Sequence, residues 1–548
     1  MASPAFGEER LLVVDMHAHF FNAADLPIAG FGKHVLQHGE LGRHRAGRAV
    51  IDLLAGLVQR IAADADEELT AIGQGEEWTP ETFGTASAEF VESRTSELES
   101  RGTAGDPDLV RSYQDLTAAL AADAGYDAAL VANARTFSLA ESGSDAQSFQ
   151  RQLNAYSFAA VANKVESAAF ADPGVVLEHR SSTEMNIFGD WEIPILGEVS
   201  RSVGWAYLMG KTRRSHIMKF LESYSGESAT PGMAVNHLVD YDYWLDDTPA
   251  EGSAPLKQVQ VFSRLSEQFA DRVDIRTFAG FCPLRHAIET LGGDQILFDQ
   301  YKPLVASGAI AGFKMYPPMG FRPWNNAALN DEDFDPQGRA PRTALDRWQA
   351  AGGTSDLCRA LDDSLAQFYQ WCADNAVPIM AHAGSGNEAG DGFGQRANPV
   401  WWEPVASQYP IRLSLGHLVN NAEPFVEAVR QGPPYRENVW ALHGSRRLLD
   451  KENQAIRAEV YGDLGYMPEL IDNPRLAADF FKALLRVFGD KDSDLSRILY
   501  GSDWIMLGRE RHYERNLDQM INGMRAARYT PAQQENILFR NARRFLRL

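Results

Sequence analysis

The chain has 548 residues, a formal net charge of −22 and an isoelectric point near 5.1. Such an acidic chain repels phosphate backbones, which excludes nucleic acid and an anionic membrane surface as partners. Its three cysteines, Cys282, Cys358 and Cys372, have neither metal-ligand spacing nor an even-numbered framework, so a reducing, cytoplasmic compartment is expected.

No run approaches the roughly 18–20 apolar residues of a spanning helix. The apolar run after Glu8-Glu9-Arg10 is also far shorter than the core of a secretory leader, about 7–15 residues. That run, Leu11-Leu12-Val13-Val14, opens a strand that closes on Asp15-Met16-His17-Ala18-His19. Strand side chains alternate faces, so His17 and His19 point the same way and can grip one metal ion together.

The interval 25–225 that follows is too long for a single connection and is rich in helix formers. Amphipathic spacing runs over 50–63, 109–122 and 146–168, and a polar, acidic, turn-rich stretch covers 73–107. His34, His38 and His44 fall there among Gly and Arg and are expected to be exposed. Strand-like runs resume at Met233–Asp240, Val273–Phe281, Ile310–Tyr316, Val377–His382, Ile411–His417, Glu459–Leu464 and Ile498–Asp503. Between the fourth and fifth of the eight strands, 357–376 has helical spacing, with Leu361, Leu365, Phe368, Tyr369 and Cys372 on one face. Strands alternating with helices make an α/β protein with a parallel sheet, and eight strands fit a closed barrel.

Three of the later strands also end in ligand-type residues, His382, His417 and Asp503, so the chain reads His-x-His, His, His, Asp. In that order the sequence resembles the amidohydrolase superfamily, and in particular its amidohydrolase-related branch, which holds hydrolases and the carboxymuconate-semialdehyde decarboxylase type. In the superfamily these residues end barrel strands 1, 5, 6 and 8. The likeness covers roughly 10–24 and 230–548 and reaches Ile537-Leu538-Phe539-Arg540-Asn541-Ala542-Arg543-Arg544-Phe545, which looks like the family's closing helix. It fails between about 25 and 225. The implied architecture is a TIM (β/α)8 barrel over 10–24 and 226–548, with a large, mostly helical insertion over 25–225 after strand 1. A loop after a barrel strand leaves from the C-terminal face, so the insertion should lie beside or over the active site, as a lid, an oligomer contact or a packing annex. A homo-oligomer is expected.

The ligand set sets the chemistry. His17, His19, His382 and Asp503 are the expected ligands of one divalent ion, zinc first, with a position left for water. Such an ion can bring the pKa of its water from about 15.7 to about 7. Asp503 can take the proton during attack and pass it to the leaving group. His417 is either a further ligand or, slightly favoured, a neutral donor to the scissile carbonyl. Lys314, in Gly312-Phe313-Lys314-Met315-Tyr316-Pro317-Pro318, stands where two-metal members of the superfamily carry a carboxylated lysine. Carboxylation would allow a second metal; unmodified, its ammonium would bind an anionic substrate group.

Tyr316, Arg322 and Trp324 are expected at the pocket or in a Pro-braced loop. Arg285 could clamp a substrate carboxylate or pair with a structural Asp. His237 and Asp240 are expected to play supporting roles. The Gly-rich stretch 384–402 reads as a substrate-covering loop or as a turn anchored by Trp401 and Trp402. The expected activity is metal-dependent hydrolysis of an amide, lactone or ester bond in a small organic substrate. A metal-dependent decarboxylase of an unsaturated acid is the alternative, and a barrel kept as an inactive scaffold is a remoter one.

Overall fold

The structure, a computed structural model, describes residues 11–36, 62–74, 208–224, 229–245, 250–293, 295–334, 343–353, 356–433, 442–510 and 512–548, with single positions at 51, 55, 58, 59 and 205. The helical runs expected over 109–122 and 146–168, most of 50–63, nearly all of the polar stretch 73–107, and His38 and His44 lie outside the described residues.

Eight parallel strands form one sheet in strictly sequential order: β1 (Leu11–Ala18), β2 (Ala229–His237), β3 (Asp274–Gly280), β4 (Gly312–Met315), β5 (Pro378–His382), β6 (Arg412–Gly416), β7 (Glu459–Asp463) and β8 (Ile498–Leu499). The sheet curls back on itself. Met16 N–H donates to Tyr500 O at 3.0 Å, Asp503 N–H to His17 O at 2.7 Å, and Ala18 bridges Trp504 in parallel. With helices between the strands, this is the expected TIM barrel, nearly closed.

Two strands differ from their sequence patterns. β2 starts four residues before the apolar run, because Thr230 and Pro231 pair with Leu12 and Val13 of β1 although neither is strongly apolar. β8 stops at Leu499 because Tyr500 N–H turns to Ile537 O at 3.0 Å and Asp503 takes a left-handed φ of 55°. Both changes come from neighbours that are distant in sequence.

The helices follow local rules. Pro474–Phe488 begins with Asn473 accepting from Leu476 N–H and with Pro at its first position, then buries Ala477, Phe480, Phe481, Leu484 and Val487 along one face. Leu357–Asp374 buries Leu361, Leu365, Phe368, Tyr369 and Cys372, the face its spacing predicted. Each buried Leu, Val or Phe among them contributes about 1.5–3 kcal/mol when removed from water. The lower barrel is filled by Val14, Met16, Val235, Phe278, Met380, Tyr461 and Leu499, and Ala542 and Phe545 of the C-terminal helix plug it from below. Among the described residues no helix is long and apolar enough to cross a membrane.

The described parts of the segment between β1 and β2 pack on the barrel through a buried cation. Arg213 Nε donates to Asp25 Oδ2 at 3.0 Å, Nη1 to Glu68 Oε2 at 2.9 Å and Nη2 to Ser253 Oγ at 3.0 Å. Removing one partner of such a network costs about 3–5 kcal/mol, so it fixes both ends of the segment. His34, expected to be exposed, is buried: its helix, Ile28–His34, turns Ile28 and Phe31 into the core and carries His34 with them.

Candidate active site

The C-terminal ends of the strands bring together His17 from β1 and His19 just after it, Lys314 from β4, His382 from β5, His417 after β6, Asp463 from β7 and Asp503 after β8, all buried. His17 Nε2 and His19 Nε2 lie 3.4 and 3.3 Å from Asp503 Oδ1. The His417 ring sits 4.7 Å from that of His17 and 4.6 Å from that of His382. Among the described residues, the ligand atoms of His17, His417 and Asp503 all fall within 4.8 Å of one another. His417, read from the sequence as a further ligand or a donor to the substrate carbonyl, stands in this group, with His19 beside Asp503 and His382 beside His417.

Each ring is oriented by an acceptor behind it. His17 Nδ1 meets Asp463 Oδ1 at 3.2 Å, His19 Nδ1 donates to His237 O at 2.7 Å, and His417 Nδ1 donates to Gly465 O at 3.0 Å. Tying down Nδ1 leaves Nε2 as the electron-pair donor toward the centre. His382 reaches the Gly386 backbone, and its Nε2 is buried with no hydrogen-bond partner. His237 supports the centre, with Nε2 2.7 Å from Met16 O.

Asp463 carries no role in the sequence reading, yet it is central. Its Oδ1 accepts from His417 N–H at 3.1 Å and Gly465 N–H at 2.9 Å as well as facing His17, while Oδ2 is buried without a partner. The available signal was an acidic residue ending a strand. Glycine makes this closeness possible: a Cβ at Gly465 would lie 2.7 Å from His17 Nδ1, and one at Gly501 would lie 2.6 Å from His17 Cβ.

Burial sets the charge states. It pushes His17, His382 and His237 well below the ordinary imidazole range and lowers His19 too, with nearby positive charge adding to the effect, so these rings are neutral and able to ligate. Burial would raise Asp503, but the His19 hydrogen bond and the charge of His417 and Lys314 outweigh it and hold the carboxylate below its usual value. Burial raises Asp463 despite several donors. Lys314 is brought down to about 8 by burial, against the pull of Asp463 and Asp503. Its Nζ lies 2.8 Å from Met380 Sδ and 3.2 Å from His17 Nε2.

The wall beside the centre is aromatic. Tyr316 stacks on His382 with centroids 4.2 Å apart and meets Tyr241 edge-on at 5.0 Å; Phe31, from the segment between β1 and β2, stacks on Tyr241 at 6.0 Å.

Arg285 is taken up elsewhere. Its Nε and Nη2 bind Asp240 Oδ2 and Oδ1 at 2.7 and 2.9 Å, Nη2 also bonds Asp242, and Tyr243 lies under the guanidinium at 4.4 Å. Of its two sequence readings, this geometry presents the structural pair. The Gly-rich loop is likewise anchored: Trp402 is core, Arg322 covers Trp401 at 4.3 Å, and buried Arg396 bonds the carbonyls of Gly320 and Asp333.

Residues 264–548, just over half of the chain, match the family described as Amidohydrolase. Among solved structures the chain is similar to an Acinetobacter baumannii protein assigned as a 2-pyrone-4,6-dicarboxylic acid hydrolase, with citric acid bound. The identity is 14% and the TM-score 0.31, over 61% of this chain and 89% of that one. It is also similar to an amidohydrolase from Burkholderia multivorans with bound zinc, at 13% identity and a TM-score of 0.34, over 60% of this chain and 88% of that one. None of the curated proteins matches the chain at a significant level.

Proposed function

The chain belongs to the amidohydrolase family, and on that premise we propose that it is a metal-dependent hydrolase cleaving an amide, lactone or ester bond of a small organic substrate. The observation that carries this reading is the convergence of His17, His417 and Asp503 on one point, with both Nδ1 atoms already committed to acceptors behind the rings. The orphaned Nε2 of His382 beside His417 fits the same reading, because a buried donor-acceptor atom without a partner costs about 1–3 kcal/mol unless something else satisfies it.

His17, His19 and Asp503 would hold a divalent ion, with His417 or His382 completing the set; imidazole and carboxylate donors suit zinc. When bound, such an ion supplies a water acidic enough to be a nucleophile near neutral pH. Asp503, held ionised 3.3 Å from His19 Nε2, would take a proton from that side and return it to a leaving group. Lys314 faces the atom of His17 that would ligate, so metal loading requires its ammonium to turn away, lose its proton or become carboxylated; the last would admit a second ion. Tyr316 would bind substrate from its place on His382, and Arg285, with its fork filled, is not the preferred clamp.

The barrel is the catalytic unit in this reading. The segment 25–225 is an elaboration beside the mouth, a placement supported by Phe31 on the Tyr241–Tyr316 wall. Three buried cysteines, none of them in a disulfide, agree with a reducing, cytoplasmic setting, and a homo-oligomer is expected by light scattering. The test is a screen of lactones, amides and esters in labelled water with the zinc-loaded protein. Solvent oxygen in the product is expected. Carbon dioxide release without it would replace hydrolysis by the decarboxylase, and a protein that binds no stoichiometric metal would overturn both.

A further inference from the structure

Asp15 lies behind the ends of β1 and β8 and is fully buried. Its Oδ1 accepts the backbone N–H groups of His17 and Ser502, each at 3.0 Å, and its Oδ2 accepts the Tyr224 hydroxyl at 2.6 Å. Ser502 immediately precedes Asp503, so one carboxylate fixes the amide of one candidate ligand and the amide next to another. That tie matters because β8 ends at Leu499, and the stretch bearing Asp503 is held to β1 by scattered backbone bonds rather than by a regular ladder.

Tyr224 comes from outside the barrel, as the residue capping the helix Arg213–Ser223, the last helix before β2. Its ring packs against Phe220 at 4.9 Å, and Phe220 in turn meets Phe20 and Trp504 at 5.2 and 6.0 Å. Its hydroxyl also lies 3.2 Å from the Tyr500 hydroxyl. The aromatic cluster buries the ring, while the hydroxyl is held by its own bonds, between Asp15 Oδ2 and the Tyr500 hydroxyl, and so fixes that carboxylate oxygen. Without it that buried oxygen would lose a hydrogen bond and draw the carboxylate away from the two amides.

We propose that Tyr224 is a positioning residue for the metal centre: through Asp15 it sets the spacing of His17 and Asp503, and so couples the segment between β1 and β2 to the site. The proposal rests on the reading of His17 and Asp503 as metal ligands. The test compares full-length wild type with Tyr224→Phe, which keeps the ring and removes the hydroxyl, and with Phe220→Leu, which loosens the same cluster and keeps it. Zinc affinity is measured by competition with a chromophoric chelator, and the coordination sphere by the visible absorption of the cobalt-substituted protein. Tyr224→Phe should weaken zinc by about tenfold and shift the cobalt bands, as loss of an outer partner of a metal site does. Phe220→Leu should lower the melting temperature and leave both unchanged.

Unchanged affinity and spectrum in Tyr224→Phe, or equal changes in Phe220→Leu, would overturn the proposal. If wild type takes up neither metal, the ligand reading fails, and hydrogen exchange decides the coupling by itself. Faster exchange in peptides over 11–20 and 499–506 of Tyr224→Phe, with β5 and β6 unchanged, supports it; equal exchange overturns it.

Discussion

Two groups of ionisable side chains lie at the barrel mouth and meet burial in opposite ways. After β2 and β3, Arg285 is enclosed by Asp240 and Asp242, with Glu289 3.7 Å away, so the cation is matched by the chain's own carboxylates. Around β1, β5 and β8, the neutral imidazoles of His17, His19 and His382 crowd one carboxylate, a second buried carboxylate keeps an unpaired oxygen, and His382 Nε2 has no partner. The first group is closed, and anything added would displace an existing bond. The second holds more electron-pair donors than it can satisfy, which is how a chain prepares a place for something it does not itself supply. Both stand at strand ends, and only the balance of donors and acceptors tells them apart.

The comparison breaks most sharply at Asp503. Asp503→Asn keeps the shape and removes both the charge and the proton acceptor, so kcat on the substrate found by the hydrolysis screen should fall by about a thousandfold, within the range for loss of a general base. Metal content by atomic absorption should fall with it. Near wild-type turnover would show that Asp503 belongs to the closed kind of group.

The reverse pattern is expected at Arg285. Arg285→Met leaves Asp240 and Asp242 without their cation and should cost about 3–5 kcal/mol in denaturant unfolding, with zinc affinity unchanged. A raised KM at nearly wild-type stability would instead restore the substrate clamp.

How much of this difference was legible in the sequence follows from what each feature depends on. The eight strands and the residues His17, His19, His382, His417 and Asp503 were readable because short apolar runs separated by helical stretches are a local pattern, and four of those runs end in ligand-type side chains. The choice between the two readings of Arg285 was not, since its partner Asp240 is 45 residues away and only the packing of β2 beside β3 joins them. Asp463 passed unmarked for the same reason: it faces His17 across 446 residues of chain and serves donors that exist only once β6 and β7 are paired. Asp15 was visible inside its motif, but its bond to Tyr224 depends on where a helix after a long interval returns.

Asp463 offers a sharper, smaller test. Asp463→Asn keeps Oδ1 as an acceptor for the two amides and removes the negative charge that it turns on His17, so zinc affinity should drop by about 10–100-fold with little loss of stability. An unchanged affinity would make Asp463 a strand-end brace and no more.

A further test lies in the pH dependence of stability, and it belongs to the closed group. Burial first, then the neighbouring Asp240, push the Asp242 carboxyl up from 3.8 to about 7, against the pull of Arg285. A carboxyl whose pKa is higher folded than unfolded binds its proton more tightly in the native state. Its contribution is therefore fully present below about pH 4 and is lost as pH rises through about 7. The loss can be no steeper than about 1.4 kcal/mol per pH unit for a single proton. Urea unfolding of wild type between pH 4.5 and 7.5 should show that decline superimposed on the rest of the titration. In Asp242→Asn, which cannot ionise, the decline should be shallower, so the difference in stability between variant and wild type grows in the variant's favour as pH rises. If the difference stays flat, Arg285 keeps Asp242 ionised throughout, and the closed group is balanced more fully than its crowding of like charges implies.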